Sequence, residues 1–543
     1  MKYISTTPLL IAALAACTLL PCSCLDEDPK GQMPESEAYS SAKAIELNCV
    51  ATLYNYIGGH DESQGLQGTD RGVYDWNSLT TDEQMLPIRG GDWYDGGFWQ
   101  RLYEHSWTST DNALFATWNY LYKVVILCNR SLHQIEAHKN ILTEAQRRSY
   151  EGEVRALRAM YYWYIMDLWG NVPLVTTHGT SLAQTAQSKR STVFRFIVDE
   201  LQEAAETLPQ AHSNYEGNYY GRITRPVAWF MLAKLALNAE IYADDTPTDD
   251  HYPAGSNITF TVDGRSLNAW QTTVVYCDKI AGAGYRLADD YASNFAIHNE
   301  NSVENIFTIP MEKTFYTNQF QYLFRSRHYR HGSAISMDAE NGTVATLSTV
   351  KKYGYGTTTV DARWPINFYA DTLLVDGKKV LLEDGTPLIY RPLAVTAFNL
   401  TGTEYEKTAG ARMSKYEIDR TAYSDGKLQG NDIVLFRYAD VLLMKAEAKV
   451  RNGEDGSAEL NAVRNRVGMG VRTATLENIL DERLLELMWE GWRRQDLIRF
   501  GLFDRSYDLR TALASEKDHH TIVFPIPKNA ISLNGNLKQN EGY

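Results

Sequence analysis

The sequence is poor in cysteine, and three of its six cysteines lie within the first 24 residues. Beyond that point only Cys49, Cys128 and Cys277 remain, which are too few and too widely spaced for a disulfide framework or a zinc site. Histidines at the HxExxH spacing of metalloproteases are also missing. We therefore expect three buried free thiols and no metal or cofactor, although acidic residues in the middle of the chain leave a structural calcium ion open.

Excess positive charge is absent as well. The chain has 67 acidic and 53 basic side chains, a formal net charge of −14. Phosphate contacts depend on lysine and arginine, so this balance disfavours a nucleic-acid partner. Long apolar runs are also scarce: the one from Pro8 to Leu20 has about 13 residues, fewer than the ~20 that cross a bilayer. No second apolar run of spanning length follows it.

The short apolar run predicts a cleaved secretory signal peptide at residues 1–23. Ser23 supplies the small residue that a bacterial lipoprotein peptidase requires before an acylated Cys24, although Pro21 replaces the usual leucine. We expect acylation of Cys24, with residues 24–40 as lipid anchor and acidic tether. The tether begins LDEDPKG, which resembles the export tag of some surface lipoproteins. An ordinary signal peptide cleaved nearby is the alternative.

Helical periodicity occurs on both sides of a long irregular region. About 520 residues follow the leader, more than one hydrophobic core usually holds, so several domains or a repeat scaffold is expected. Thr143 and Gln146 have the spacing of a capping box, and Gly170 marks a helix end. The predicted helical segments are 111–170, 191–208, 225–242, 431–453, 457–468 and 476–501.

These segments predict a mainly α protein built as a tetratricopeptide-like helical repeat. Residues 41–242 form its N-terminal part, with an aromatic loop at 70–107 and the first helix pairs. Residues 243–430 are rich in glycine, threonine and short β-branched runs, and we interpret them as a loop-rich insertion with short strands that binds ligand. Residues 431–543 hold the C-terminal helix pairs and an extended tail.

The stretch RGGDWYDGGFWQRLYEHSW, residues 89–107, has six aromatic and four glycine residues among nineteen. Its aromatic positions follow neither a helix nor a strand period, which favours a surface loop over a core element. A sugar presents a C–H-rich face and a rim of hydroxyls, so its binding calls for flat aromatic rings with polar groups beside them. This stretch supplies both kinds of group.

Six blocks of the chain resemble the SusD/RagB family of outer-membrane nutrient-binding lipoproteins. They occur in the family's order and span most of the chain: RALRAMYYWYIMDLWGNVPLV, RITRPVAWFMLAKLAL, NDIVLFRYADVLLMKAEAKVRNG, LNAVRNRVG, ERLLELMWEGWRRQDLIRFG and FPIPKNAISLNGNLKQNEGY. The resemblance implies four tetratricopeptide-like helix pairs and an irregular ligand-binding half. It also implies a cell-surface lipoprotein that captures oligosaccharide or polysaccharide for a SusC-like TonB-dependent transporter and is not an enzyme.

The loop also resembles the RGGDW-type loop of one branch of the family, which includes fructan binders, where the loop tryptophan stacks on sugar. On that basis Trp93 is the expected platform, with Asp92 and Tyr94 beside it, whereas Trp99 and Trp107 are expected to pack under the following helix. Residues expected to complete the glycan-binding surface are Asp70, Asp75, Trp76, Tyr316, Arg363, Trp364 and Tyr405.

Three other interpretations remain open. The same transport role with a peptide or other nutrient is one, and a scaffold that binds only protein is another. A glycoside hydrolase is the third, since such enzymes need two carboxylates and Asp82, Glu83, Asp92 and Asp95 are available. Glu482, Glu486 and Glu490 lie four residues apart, but neighbouring arginines favour structural ion pairs there. His328 and His331 are likewise taken as structural.

Overall fold

The structure is a computed structural model of the chain, and the residues it describes are 35–249, 251–314, 319–320, 325–425 and 427–543. The predicted signal peptide, Cys24 and Tyr316 lie outside this range. Across the described part of the chain, every helix is too short or too polar to traverse a bilayer.

Two long helices open the scaffold, α1 (Asn112–Ala137) and α2 (Glu144–Trp169). The predicted capping box at the start of α2 is confirmed: the Thr143 hydroxyl accepts from the Gln146 backbone N–H, and the Gln146 side chain accepts from the Thr143 N–H at 3.0 Å. Gly170 ends α2 with a φ of +71°, a backbone conformation that residues with a side chain rarely adopt. Local signals therefore fix both ends of this helix.

Further helices continue the array as predicted for a helical repeat. They are α3 (Arg190–Thr207), α4 (Arg225–Leu237), α5 (Ala269–Gly282), α6 (Tyr438–Arg451), α7 (Ser457–Arg466), α8 (Leu476–Leu487) and α9 (Arg493–Arg499). Each of α1 to α6 packs on the next, and α6 contacts both α7 and α8. Within the described residues, α1 to α8 thus form four successive pairs, and the predicted mainly α class is confirmed.

Helix α5 lies in residues 243–430, where sequence patterning suggested few long helices. It begins with its own capping box, formed by Asn268 and Gln271, and follows a hairpin of β1 (Thr259–Val262) and β2 (Arg265–Asn268). It packs between α4 and α6. The third helix pair is therefore built from segments on either side of residues 283–437, and the irregular region interrupts that pair.

The interpretation of residues 431–453 as one helix is wrong at its start. Strand β4 (Ile433–Arg437) pairs antiparallel with β3 (Asn305–Ile309), and every residue of both strands is buried. A short run that is apolar on both faces suits a buried strand as well as a helix. Likewise the predicted helix at 476–501 is broken between α8 and α9, where Trp489 and Gly491 have φ values of +68° and +75°.

The remaining elements are short. The strands are Gln84–Met85, Val172–Pro173, Gln187–Ser188, Val344–Ala345, Phe368–Tyr369, Asp371–Thr372, Leu374–Val375, Lys378–Lys379, Ile389–Tyr390 and Arg412–Met413. The shorter α-helices are Glu35–Ala38, Ala42–Ile45, Thr52–Tyr54, Val73–Ser78, Phe98–Glu104, Ala239–Tyr242, Tyr329–Ala334, Leu347–Lys352, Trp364–Asn367 and Lys528–Leu533. Most of the short strands form antiparallel two-stranded ribbons within residues 283–430, so the loop-rich character predicted there is confirmed.

The carboxylates of α8 and the turn after it form ion pairs, as predicted, but with distant arginines instead of the neighbouring ones that the sequence suggested. Glu486 forms ion pairs with the guanidinium groups of Arg363 and Arg437 at 2.8 and 2.5 Å, and Glu490 forms one with Arg437 at 2.7 Å. Glu482 pairs with Arg363 at 2.7 Å. Burial raises the pKa of Glu486, but the arginines outweigh burial and hold that pKa well below its ordinary value. We call these five side chains the α8 ion-pair network. The predicted burial of the three free thiols is also confirmed.

Candidate functional site

The aromatic loop starts with a tight turn anchored to a distant segment. The backbone N–H of Arg89 donates to the Asp92 carbonyl at 3.1 Å, and Gly90 in the turn has a φ of +64°. The buried Arg89 guanidinium donates to the carbonyls of Glu406 and Ala409, each at 2.8 Å. A Cβ on Gly90 would lie 2.4 Å from Glu406 Oε1, so glycine permits this close approach. The loop is thus held against residues 401–409.

Trp93 is half-buried and fixed by its polar edge. Its Nε1–H donates to the Glu340 carbonyl at 2.9 Å, and its ring lies edge-to-face with that of Trp99 at 5.9 Å. On another side, a Cβ on Gly342 would come within 2.8 Å of the Trp93 ring. Tyr94, next along the chain, is 57% exposed. The ring surface open to a ligand here therefore combines part of Trp93 with most of Tyr94.

The loop is not free of secondary structure, contrary to the sequence interpretation. Residues Phe98–Glu104 form a helix that follows two glycines in the left-handed region, Gly96 and Gly97. Trp99 and Trp107 are buried, which confirms that they pack inward. The turn and the half-buried Trp93 therefore lie at the surface end of a small, well-packed unit.

Polar groups surround the Trp93 turn. Asp92 accepts from the Tyr329 hydroxyl at 2.8 Å and lies 3.4 Å from the Lys407 ammonium. Arg71, which sequence reasoning missed, donates to Asp95 at 2.8 Å and lies over the Trp99 ring at 5.1 Å. The sequence offers no signal for Arg71, because its partner lies 24 residues further along the chain.

A buried arginine holds the two predicted acidic residues upstream. Arg325 donates to Asp70 at 2.7 Å and to Asp75 at 2.9 Å. Asp75 is fully buried, whereas 21% of the Asp70 side chain is exposed. Glu340 lies nearby, and burial followed by the charge of Asp70 raises its pKa to about 7. Only Asp70 and Glu340 of these carboxyl groups are accessible to a ligand.

A groove in the irregular region is lined in part by residues 403–405. Its volume is about 570 Å³, and Tyr405, which sequence reasoning singled out, lines it. The Arg391 guanidinium lies 4.3 Å from the centre of the Tyr405 ring, and the Tyr355 hydroxyl donates to Asp371 at 2.6 Å. The residues lining this insertion groove are Tyr355, Asp371, Ile389, Tyr390, Arg391, Pro392, Leu393, Ala394, Thr396, Thr403, Glu404 and Tyr405.

Two family models match the chain. One is described as the SusD family and matches residues 283–543; the other is described as starch-binding associating with outer membrane and matches residues 67–237. The chain belongs to the SusD family. Its relatives include the starch-binding protein SusD of Bacteroides thetaiotaomicron, 25% identical with 89% of each chain covered. A SusD-like protein of Bacteroides ovatus is 23% identical, with 92% of this chain and 83% of the relative covered.

Solved structures of SusD-family proteins share the fold. A SusD superfamily protein from Bacteroides vulgatus has a TM-score of 0.69 at 19% identity, over 93% of this chain and 100% of that one. Surface glycan-binding protein A from Bacteroides thetaiotaomicron, solved in complex with laminarihexaose, has a TM-score of 0.67 at 21% identity. The match covers 92% of this chain and 99% of that chain.

Several residues predicted to bind ligand are buried in this SusD-family chain. Asp75 is taken by Arg325, and Trp76 is fully buried with its Nε1–H donating to Thr117 at 3.1 Å. Arg363 is fully buried in the α8 ion-pair network, and Trp364 is also buried. Those four predictions are wrong, because each side chain serves packing or ion pairing. Asp70, Trp93, Tyr94 and Tyr405 retain accessible surface, and their role in binding stays a prediction.

The carboxylates considered for hydrolysis are engaged elsewhere in the SusD-family fold. Arg493 binds both oxygens of Asp82, at 2.6 and 2.7 Å, and the buried Glu83 accepts from the Trp489 backbone N–H at 2.6 Å. Asp92 and Asp95 have the partners given above. Among the described residues, no group of three or more histidine, cysteine or acidic side chains is arranged to hold a metal ion.

Proposed function

We propose that this SusD-family chain binds an oligosaccharide or polysaccharide outside the cell and delivers it, uncleaved, to a SusC-like TonB-dependent transporter. The observation that carries the proposal is the half-buried Trp93 beside the exposed Tyr94, in a turn bordered by Asp70 and Asp92. Family membership supports it, and laminarihexaose is bound by one protein of the same fold.

The chemistry of the turn suits a sugar. Aromatic rings offer apolar area to the C–H face of a pyranose and have few rotors to immobilise. The carboxylates of Asp70 and Asp92 accept hydrogen bonds from hydroxyl groups, and Lys407 and Arg71 donate them. Since Trp93 is held by Glu340, Gly342 and Trp99, its ring is oriented before ligand arrives, which lowers the ordering cost of binding.

Outer-membrane attachment through an acylated Cys24, with the protein on the cell surface, completes the proposal. The matching family model is described as associating with the outer membrane, which supports that location. Binding is proposed to need neither a metal nor a cofactor. Mass spectrometry of the membrane-extracted protein tests the anchor: a triacyl mass on a mature chain starting at Cys24 is expected, and an unmodified chain starting elsewhere would contradict it.

Isothermal titration against a panel of starch, laminarin, fructan and peptide tests the ligand class. Because an open surface makes few contacts, we expect a Kd as weak as about 1 mM, equivalent to about −4 kcal/mol. Trp93→Ala should abolish measurable binding, whereas Tyr219→Ala, which removes a 40% exposed tyrosine between α3 and α4, should not. Binding of peptide alone, or of no ligand at all, would reject a glycan-binding role.

Two further measurements test delivery and the absence of cleavage. Co-purification of the tagged chain with a TonB-dependent transporter from native membranes is expected. Chromatography of a bound oligosaccharide after long incubation should show it intact, whereas shortened products would identify a hydrolase.

A further inference from the structure

Most buried arginines in the described part of the chain have a carboxylate partner. Arg325 pairs with Asp70 and Asp75, and Arg483 pairs with Asp440 at 2.7 Å. Four buried arginines form no ion pair with a described residue, and they are Arg89, Arg190, Arg327 and Arg412. A guanidinium remains protonated even when buried, and an uncompensated buried charge is costly. These four positions therefore require a separate explanation.

Arg327 is the most exceptional of them. It is fully buried, and its Nε, Nη1 and Nη2 groups all lack a hydrogen-bond acceptor among the described residues. The titratable groups that act on it are the phenols of Tyr369 and Tyr390, which are neutral at physiological pH. Asn341, whose backbone N–H donates to the Arg327 carbonyl at 2.7 Å, also has a buried side-chain amide with no partner.

Two more buried arginines without an ion pair lie around Tyr390, and the charge of Glu406 acts on one of them, Arg89. Arg412 lies 5.1 Å from the centre of the Tyr390 ring and donates to the Ala409 carbonyl at 3.1 Å. Arg89 donates to the same carbonyl oxygen at 2.8 Å, so two positive charges meet at one neutral acceptor. We call Arg89, Arg327 and Arg412 the arginine cluster. The described part of the chain places no carboxylate in contact with it.

Two buried histidines complete the electrostatic surroundings. His331 Nδ1 lies 3.1 Å from the Tyr390 hydroxyl, and the backbone N–H of His328 donates to that hydroxyl at 3.0 Å. Burial, followed by the nearby arginines, lowers the pKa of each histidine to about 3. Both are therefore neutral, and the positive charge of the cluster is carried by its arginines.

Arg190 differs from Arg327 because a carboxylate lies near it. Its three guanidinium nitrogen groups also lack a described acceptor, and it lies over the Tyr242 ring at 5.2 Å. However, its charge acts on the nearby Asp244, whose Oδ2 is itself buried without a partner. The opposite charge of Asp244 thus compensates that of Arg190 without an added ion. Arg327 has no such carboxylate.

We propose that a small inorganic anion, with chloride as the physiological form, binds beside Arg327 in the buried region around Tyr390. The anion accepts from two adjacent nitrogen groups on one edge of the Arg327 guanidinium, whose three nitrogens all lack a partner among the described residues. It supplies the negative charge that a water molecule does not. The site would stabilise Tyr390, which lines the insertion groove. It does not depend on whether the groove binds glycan.

Halide-dependent stability of the mature protein tests the site. Thermal unfolding is measured in sodium chloride, bromide and fluoride against sodium sulfate at constant ionic strength. Chloride and bromide should each raise the Tm saturably, by about 2 to 3 °C at a hundredfold excess over Kd. Arg327→Met should remove this dependence, whereas Arg190→Met, at the matched control position, should keep it. Should Arg327→Met fail to fold, the next measurement decides on the wild-type protein alone.

Crystals grown in bromide locate the ion directly. An anomalous peak within hydrogen-bond distance of the Arg327 guanidinium is expected. A water molecule in its place, or an empty position, would overturn the proposal. So would a bromide peak without saturable stabilisation, or with stabilisation that Arg327→Met leaves unchanged, because either result would mean an adventitious ion only.

Discussion

The helical body and the loop-rich half of this protein differ in how many of their buried arginines form ion pairs. Among the described residues of the body, Arg190 alone lacks one. In the body, Glu486 and Glu490 meet the charges of Arg363 and Arg437 within a single network. In the loop-rich half, by which we mean the aromatic loop together with residues 283–430, the arginine cluster forms no ion pair among the described residues, and Trp93 leaves part of its ring uncovered. The contrast indicates that the body is built for stability, whereas the loop-rich half leaves groups available to something other than its own chain.

The largest effect is expected from breaking the body's network. Glu486→Ala should remove a carboxylate that the buried Arg363 and Arg437 share, leave one positive charge of the network uncompensated, and lower the free energy of unfolding by about 3 to 5 kcal/mol. Denaturant titration measures the change. Glu144→Ala, which breaks an exposed ion pair with Arg147, is the control and should leave the unfolding midpoint unchanged. Equal midpoints for both variants would show that the network does not stabilise the fold.

Trp99 and Trp93 are neighbours, but we expect the first to contribute mainly to stability and the second mainly to glycan binding. Trp99→Ala removes a fully buried ring and should cost about 3 to 5 kcal/mol in the free energy of unfolding. Trp93→Ala removes a half-buried ring and should cost only about 1 to 2 kcal/mol, yet it should weaken glycan binding at least tenfold. Denaturation and titration calorimetry measure the two quantities. If Trp93→Ala bound glycan like the wild type, the turn would not be the ligand platform.

Glu340, which holds Trp93, should make the free energy of unfolding depend on pH. The raised pKa of Glu340, about 7, means that the folded state binds this proton more tightly than the unfolded state does. Its contribution to stability is therefore fully present below about pH 4.5 and is lost as the pH rises toward 7. Glu340→Gln should remove this slope, which amounts to about 3 kcal/mol. Denaturant titrations at several pH values measure the difference, and identical slopes for both proteins would contradict it.

Much of the body could be predicted from local sequence. The capping box at Thr143 and Gln146 and the end at Gly170 specify α2 within a few residues of chain, without reference to the rest of the protein. Periodicity did not distinguish β4 from a helix, because its partner β3 lies more than a hundred residues earlier and both strands are buried on both faces. Helix α5 was missed because it lies among short strands in a region rich in glycine and threonine.

The candidate site was harder to predict, since burial of a side chain depends on partners far away in sequence. Arg363 looked available for ligand, but its partner Glu486 lies 123 residues downstream. Asp75 was misassigned in the same way, because Arg325 lies 250 residues away. Trp93 and Tyr94 were singled out through resemblance to a family loop and remain accessible. The insertion groove was found only in part, through Tyr405.

The smallest effect is expected at the insertion groove, and it tests whether the groove extends the ligand surface. Residues 401–409 contact the Trp93 turn through Arg89 and also carry Tyr405 into the groove. If a long glycan spans both, Tyr405→Ala should weaken polysaccharide binding about threefold, since stacking on one ring contributes on the order of 1 kcal/mol. Titration with a long and a short oligosaccharide measures this, with Tyr405→Phe as the control that keeps the ring.

Because only the long chain reaches the groove, the short one should bind both variants like the wild type. Equal affinity of wild type and Tyr405→Ala for the long chain would confine binding to the Trp93 turn, and the contrast between the two halves would then depend on that turn and the anion site alone.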